Sequence, residues 1–272
     1  MTYRMALAWA VGQGVEESDA RWLLQEVARV SMTQYLILKD TTMEPTQVAR
    51  FEEMIRRRAK GEPVQHVLGF WGFGDLTLKT DGRALIPRPE TELLVEEALR
   101  LLPEEQGLKI VDVGCGTGCI GLSMKNARLR DKVTLLDISE QARSLARENA
   151  ELLRLTVEIL PADMREKLPG GPYDMICSNP PYIPREDCDR LDPEVRLFDP
   201  MLALDGGEDG LDFYRALAER AGDSLRDGGF VVLELGIGQA EDVKKIFAPV
   251  ADVVDLKKDL AGIDRVLSLR KR

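Results

Sequence analysis

Asn179-Pro180-Pro181-Tyr182 is the stretch of this sequence best equipped for chemistry. An amide or aromatic amine nitrogen is a poor nucleophile, because its lone pair is delocalised. The Asn179 side-chain oxygen and the Pro180 carbonyl can each accept one N–H of such an NH2 group. The prolines fix φ and hold those acceptors rigid. Two directional acceptors orient the nitrogen and favour its pyramidal geometry as charge develops. Tyr182 supplies an aromatic face against a planar group. Asn179, Pro180, Pro181 and Tyr182 are therefore the expected substrate-binding surface, with Asn179, Pro180 and Tyr182 as its catalytic members. No strong base is needed, since the proton can leave after the new bond to nitrogen has formed. The run Tyr173–Ser178 before the tetrapeptide reads as a strand, which sets the motif at a carboxyl end of a sheet. Open α/β folds hold their reactive groups there.

A second motif accompanies the first. Asp112-Val113-Gly114-Cys115-Gly116-Thr117-Gly118 follows an apolar strand and precedes a helical run. Glycines there permit a tight turn and a close backbone approach to a ligand. Asp137 closes the next strand, where its carboxylate can accept from both hydroxyls of a ribose. Dinucleotide sites use G-x-G-x-x-G, and here Cys119 stands where the third glycine would be. The spacing G-x-G-x-G behind Asp112 resembles the first motif of class I methyltransferases. That resemblance implies S-adenosylmethionine, held by Gly114, Cys115, Gly116, Thr117, Gly118 and Asp137, with Asn179 at its reactive end. Asp163 follows the third strand and is expected to accept from the adenine amino group, with Met164 packed on the ring.

The elements that must position these groups can be traced along the chain. From Lys109 onward, strand and helix patterns alternate, with strands expected at Lys109–Val113, Lys132–Asp137, Val157–Leu160, Tyr173–Ser178, Phe230–Leu235, Ala251–Leu256 and near Arg265–Leu269. Helices fall between them, such as Gln141–Leu153 and Leu211–Arg226. Short apolar strands alternating with helices predict an α/β fold with a parallel sheet covered on both faces. Residues 1–78 read as a helical domain. Ser18-Asp19 is the expected cap of a helix carrying Trp22, Leu23, Leu24, Val27 and Val30. Pro45 opens another, with Val48, Phe51, Met54 and Ile55 on one face, and Arg56-Arg57-Arg58-Ala59-Lys60 reads as a solvated basic end or as a partner-docking patch. Gly61–Gly82 reads as a β-hairpin linker whose end is residues 79–83, and the catalytic domain as residues 84–272. The prolines of Leu85-Ile86-Pro87-Arg88-Pro89-Glu90-Thr91-Glu92 delay the next helix to Thr91 or Glu92.

Composition excludes several classes. The chain has 272 residues, 44% hydrophobic and 31% charged, enough for a sizeable core and too apolar for disorder. No apolar run approaches the roughly 18 residues of a membrane helix. Met5–Val11 reads as a helix and not as a signal peptide. Cys115 and Cys119 have the wrong spacing for a zinc knuckle, His66 is the single histidine, and no metal site is expected. Four cysteines at this density predict reduced thiols and a cytoplasmic protein. The net charge of −10 arises wholly beyond residue 80. An acidic catalytic domain opposes the phosphate-neutralising mode of DNA binding.

Taken together, the chain resembles the HemK/PrmC-type protein-(glutamine) methyltransferases. The likeness rests on the helical N-terminal region, Leu85–Glu92, the glycine loop, the tetrapeptide and Leu202–Leu211, and spans nearly all of the sequence. It implies a class I S-adenosylmethionine-dependent methyltransferase with a Rossmann-like seven-stranded sheet and a small helical N-terminal domain. It implies that the acceptor is the glutamine of the Gly-Gly-Gln motif in peptide chain release factors, bound by a monomer with no DNA or membrane partner. A ribosomal-protein glutamine methyltransferase, an adenine-N6 methyltransferase and a release-factor-binding module without activity are the rival readings. Within the resemblance, Arg88 and Glu90 either order the loop over the cofactor or form a local ion pair. His66 stands where the family often has a tyrosine and reads as a structural histidine. Met164 stands where some members carry a tryptophan.

Overall fold

A computed structural model of the protein describes residues 1–105, 107–166 and 168–272. The chain divides into two compact units, one of Met1–Phe70 with Pro193–Phe198, the other of Trp71–Asp192 with Asp199–Arg272. The first holds α1 (Tyr3–Gly12), α2 (Glu17–Ala28), α3 (Met32–Leu38), α4 (Pro45–Ala59) and α5 (Val64–Leu68); α1, α2, α4 and α5 pack on one another, and α3 buries Tyr35. Thr2 caps α1, and Ser31 with Gln34 forms a reciprocal capping box on α3. Pro45 occupies the first turn of α4, whose Phe51, Met54 and Ile55 are buried. Leu23, Leu24 and Val27 fill the core from α2, whereas Trp22 is exposed.

Three local expectations are corrected in this unit. Ser18-Asp19 does not cap α2 but lies inside its first turn; Asp19 is drawn off by Arg58, whose Nε donates to Asp19 Oδ2 at 2.6 Å. The basic end of α4 is not simply solvated. Arg58 is 18% exposed and also pairs with Glu194 at 2.9 Å, and Arg57 is forked onto Glu62. The linker is not a hairpin throughout, because Val64–Leu68 forms α5, with His66 buried on it.

The second unit begins at Trp71, inside the hairpin of β1 (Phe70–Phe73) and β2 (Leu76–Lys79), whose Phe73, Leu76 and Leu78 join the core of the main sheet. There follow along the chain α6 (Pro89–Leu101), β3 (Lys109–Val113), α7 (Cys119–Ala127), β4 (Lys132–Asp137), α8 (Glu140–Leu153), β5 (Glu158–Pro161), β6 (Tyr173–Ser178), α9 (Arg185–Cys188), α10 (Pro193–Phe198), which belongs to the first unit, α11 (Asp212–Ser224), β7 (Leu225–Glu234), α12 (Ala240–Phe247), β8 (Ala251–Lys258) and β9 (Asp264–Lys271). The sheet has seven strands in the order β5-β4-β3-β6-β7-β9-β8. β3 to β7 run parallel, but β9 is antiparallel to both of its neighbours, so the sheet is mixed and not purely parallel. The short link Asp259–Ile263 turns the chain straight back on itself, which only an antiparallel pair allows. Alternate residues feed the two faces. Val111, Ile176, Val231 and Leu233 pack with Tyr214 and Leu217 of α11 and Val243 and Phe247 of α12. Ile110, Met175 and Val232 pack with Leu94 of α6, Leu122 of α7 and Ala146 of α8.

Helix α6 starts at Pro89, not at Thr91 or Glu92, because the first helical position needs no N–H donor. β7 starts at Leu225, five residues before the expected Phe230. Among the described residues no helix is long and apolar enough to cross a membrane.

Candidate active site

The strand order reverses between β3 and β6: from β3 the chain runs outward to β5, then returns to β6 on the other side. Open α/β sheets hold their ligands in the crevice at such a point. Here a cavity of about 280 Å³ opens at the carboxyl ends of β3, β4, β5 and β6, lined among others by Gly114, Asp137, Met164 and Asn179.

The turn after β3 is anchored by its own backbone. Gly114 N and Cys115 N both donate to Leu136 O, at 2.8 and 3.0 Å. Gly114 has φ +74°, and a Cβ there would lie 3.1 Å from Met164 Cε, so the glycine leaves room for a side chain that itself borders the cavity. The Asp137 carboxylate takes an N–H on each oxygen, from Gly116 at 2.9 Å and Ser139 at 2.8 Å. The acid closing β4 thus fixes the loop closing β3. Burial raises its pKa against the pull of those N–H groups. Beneath the loop Asp112 is wholly buried, with Oδ2 accepting from Gly121 N at 2.9 Å. Burial pushes this carboxyl up to about 7.

Of the residues singled out in the sequence, Gly114, Cys115, Gly116, Thr117, Asp137, Asp163, Met164, Asn179, Pro181 and Arg88 line the cavity. Gly118, Pro180, Tyr182 and Glu90 are not part of its wall. The Asp163 carboxylate is forked by Arg165 at 2.6 to 3.1 Å, which holds it below the usual carboxylate range. It is therefore not the free acceptor that the sequence suggested. Tyr182 is nested among glycines instead of facing the cavity. A Cβ on Gly206 would fall 2.7 Å from its Cα, and one on Gly236 would fall 3.0 Å from its ring. Gln239 Nε2 donates to its carbonyl at 3.0 Å. Burial pushes the phenol up to about 12, so it stays protonated at neutral pH. Burial likewise pushes the Cys119 thiol up to about 12 and the Cys115 thiol well above its usual value, which disqualifies both as nucleophiles.

Arg88 does not form a local ion pair. Its Nη2 donates at 2.7 Å to Asp199, 111 residues on, whose side chain is almost wholly buried. This pair joins the segment before α6 to the segment at Pro200–Ala203, and both line the cavity. Glu90 stands exposed in the first turn of α6.

Several supports were not singled out in the sequence. Ser178 Oγ donates to Val113 O at 2.6 Å, tying the ends of β6 and β3 and so placing Asn179 next to the glycine loop. Asn149 on α8 accepts from Lys79 N and donates to Thr117 O at 3.0 Å, linking the hairpin to the loop. Arg83, on the cavity wall, is forked onto Asp81 and Glu148. Behind Asn179 lie Thr91 and Glu234, both buried. Glu234 had a visible signal: an ionisable residue between Leu233 and Leu235, straight after the apolar run Phe230–Leu233.

Comparison with known proteins gives the family. Residues 9–69 match the family described as PrmC N-terminal domain, and residues 90–191 match the Methyltransferase small domain. The release factor glutamine methyltransferase of Caulobacter vibrioides is 37% identical over 278 aligned positions, covering 98% of this chain and 96% of the relative. That of Geobacter sulfurreducens is 38% identical, covering 99% and 96%. A solved methyltransferase from Pyrococcus furiosus shares the fold, with a TM-score of 0.55 at 20% identity over 84% of this chain and 99% of its own. Likeness of that degree, sustained from one end of the chain to the other, shows that this protein belongs to the release factor glutamine methyltransferase family.

Proposed function

We propose that the chain transfers a methyl group from S-adenosylmethionine to the side-chain amide nitrogen of the glutamine in the Gly-Gly-Gln motif of peptide chain release factors. The observation that carries this reading is the meeting of Asn179 with the Gly114–Thr117 loop and Asp137 on one cavity wall. The cavity fits the cofactor on its own terms. Asp137 sets a carboxylate beside the loop on the cavity wall, which suits a cationic sulfonium and opposes a pyrophosphate. When bound, S-adenosylmethionine supplies a methyl carbon activated by the sulfonium. Gly114–Thr117 and Asp137 hold it, and Met164 and Asp163 border its base.

The remaining work falls to the chain's own residues. Asn179 Oδ1 and the Pro180 carbonyl accept the two N–H groups of the acceptor amide and aim its nitrogen. Tyr182, protonated and packed, supports the tetrapeptide from behind and takes no proton. Orientation of this kind supplies most of the acceleration. The first unit, of Met1–Phe70 with Pro193–Phe198, docks the folded release factor. The protein acts as a monomer in the cytoplasm, on protein and not on DNA. The test is to incubate it with radiolabelled S-adenosylmethionine and an intact release factor, then map the methyl group by mass spectrometry. Label on the Gly-Gly-Gln glutamine is expected; label on DNA adenine, or none on the factor, would overturn the reading.

A further inference from the structure

A side-chain amide can present either its oxygen or its NH2 to a partner, and only one presentation suits an NH2 acceptor group. What lies behind Asn179 decides which. Thr91 Oγ1 donates to Glu234 Oε2 at 2.6 Å, and both residues are 2% exposed. Asn179 Nδ2 donates to Thr91 Oγ1 at 3.3 Å, and the Asn179 amide also donates toward the Glu234 carboxylate. An ionised carboxylate only accepts. Thr91 has one proton and gives it to Glu234, so it can offer Asn179 only a lone pair. The nitrogen of Asn179 must then turn inward, and its oxygen is left for the cavity that the residue lines.

We propose that Glu234, acting through Thr91, is the positioning residue that sets the orientation of the Asn179 amide and so creates the acceptor on which the proposed transfer depends. This inference rests on the glutamine-methylating reading for its kinetics, but the orientation itself is a property of the free protein. Without the carboxylate, the Thr91 proton can go to Asn179 Oδ1, and the amide turns its NH2 toward the incoming NH2. The carboxylate sits among Arg265, Glu90, Tyr182, Tyr214 and Cys119 as the other titratable groups acting on it or feeling its charge. Burial raises it to about 7. The protonated carboxyl can itself donate to Thr91 and free the Thr91 proton for Asn179, so turnover is expected to rise with pH as Glu234 ionises, by no more than the about fivefold allowed to Glu234→Gln.

The test has a kinetic arm and an arm that needs no substrate. Glu234→Ala and Thr91→Val are expected to lower kcat about ten- to a hundredfold, the equivalent of losing one hydrogen bond to a charged group. KM for the release factor and affinity for S-adenosylmethionine should move less than about threefold, since neither residue is given a binding role. Glu234→Gln keeps an oxygen for Thr91 and Thr91→Ser keeps the hydroxyl, so both should stay within about fivefold of the parent. Glu234→Gln should also lose the rise of kcat with pH. If Glu234→Ala fails to fold, Thr91→Val against Thr91→Ser decides the same question. In the second arm, the protein is labelled on asparagine nitrogen; it has only three asparagines, and Asn179→Asp identifies the relevant side-chain signal. The Asn179 NH2 protons should be protected from exchange in the parent and in Glu234→Gln, and exposed in Glu234→Ala or Thr91→Val. A folded Glu234→Gln as inactive as Glu234→Ala would make the carboxylate a proton acceptor and overturn the proposal. Unprotected Asn179 protons in the parent would overturn it too, whatever the acceptor proves to be. A parent that transfers nothing to a release factor, with the protection pattern intact, would sink the substrate reading alone.

Discussion

Asp112 is a carboxyl group with no exposed surface, raised to about 7 chiefly by burial and in lesser part by the charge of Asp137. In the unfolded chain it titrates near its usual value. Its folded pKa is therefore the higher, and its contribution to stability is complete only below the unfolded pKa. That contribution is lost as pH rises through about 7. We expect Asp112→Asn, which keeps an oxygen for Gly121 N, to gain stability over the parent at pH 8 and to gain much less at pH 5. Each tenfold difference in proton affinity between the folded and unfolded chain is worth about 1.4 kcal/mol, so the gain at the higher pH should reach a few kcal/mol. Thermal denaturation at both pH values measures it, and parallel curves would refute it. At Asn179, replacement by Ala should abolish transfer while cofactor affinity stays within a few fold. Calorimetry showing binding lost as badly as turnover would overturn that division of roles. Asp137→Ala should weaken S-adenosylmethionine binding by about 1.5–3 kcal/mol, the range for a hydrogen bond to a charged group. Because Gly116 and Ser139 both donate to this carboxylate, some of that loss will come from a slackened loop.

Among the helices and strands, the spacing of α7 from the sheet is set by Gly121. A Cβ there would overlap Leu135 Cδ2 of β4 and come within 3.1 Å of Asp112 Cβ. Leu135 is wholly buried, so its methyl can give way only by displacing other core side chains. Gly121→Ala should therefore cost about 1–3 kcal/mol by overpacking, despite alanine's better helix propensity. A denaturant midpoint at or above that of the parent would contradict this. The same helix begins at Cys119, straight after the glycine loop, so strain in its packing should reach the cavity wall. Elsewhere, element boundaries were less legible than element types. Pro89 reads as a breaker until it is seen at the first helical position, and the apolar pattern of β9 carries no sign of its direction.

Across the protein as a whole, the tetrapeptide alone does not separate glutamine from adenine, since both present an NH2 on a planar carbon. Discrimination must come from remote contacts, whose energy can be spent on positioning the reacting group. We expect faster methylation of an intact release factor than of a short free Gly-Gly-Gln peptide, and none of duplex DNA. Initial rates on the three substrates check this. Equal rates on factor and peptide would leave the chemistry standing and remove the docking role given to the first unit.

Features that depend on neighbours in the chain were legible before any folding was considered. A glycine turn behind an apolar strand and two prolines fixing a pair of carbonyl-type acceptors are local facts. Their chemistry could be read from residue type and spacing, as could the alternation of strands and helices. Which distant residues complete the site was settled by the folded arrangement alone. Thr91 meets Asn179 across 88 residues and Glu234 across 143, and Arg88 reaches Asp199 across 111. Tyr182 was placed among glycines instead of in the cavity by the same folding together of distant segments. An apolar pattern reports that a face is buried but not what covers it. A polar side chain reports that it needs a partner but not which one, because that choice is made by sheet order and register.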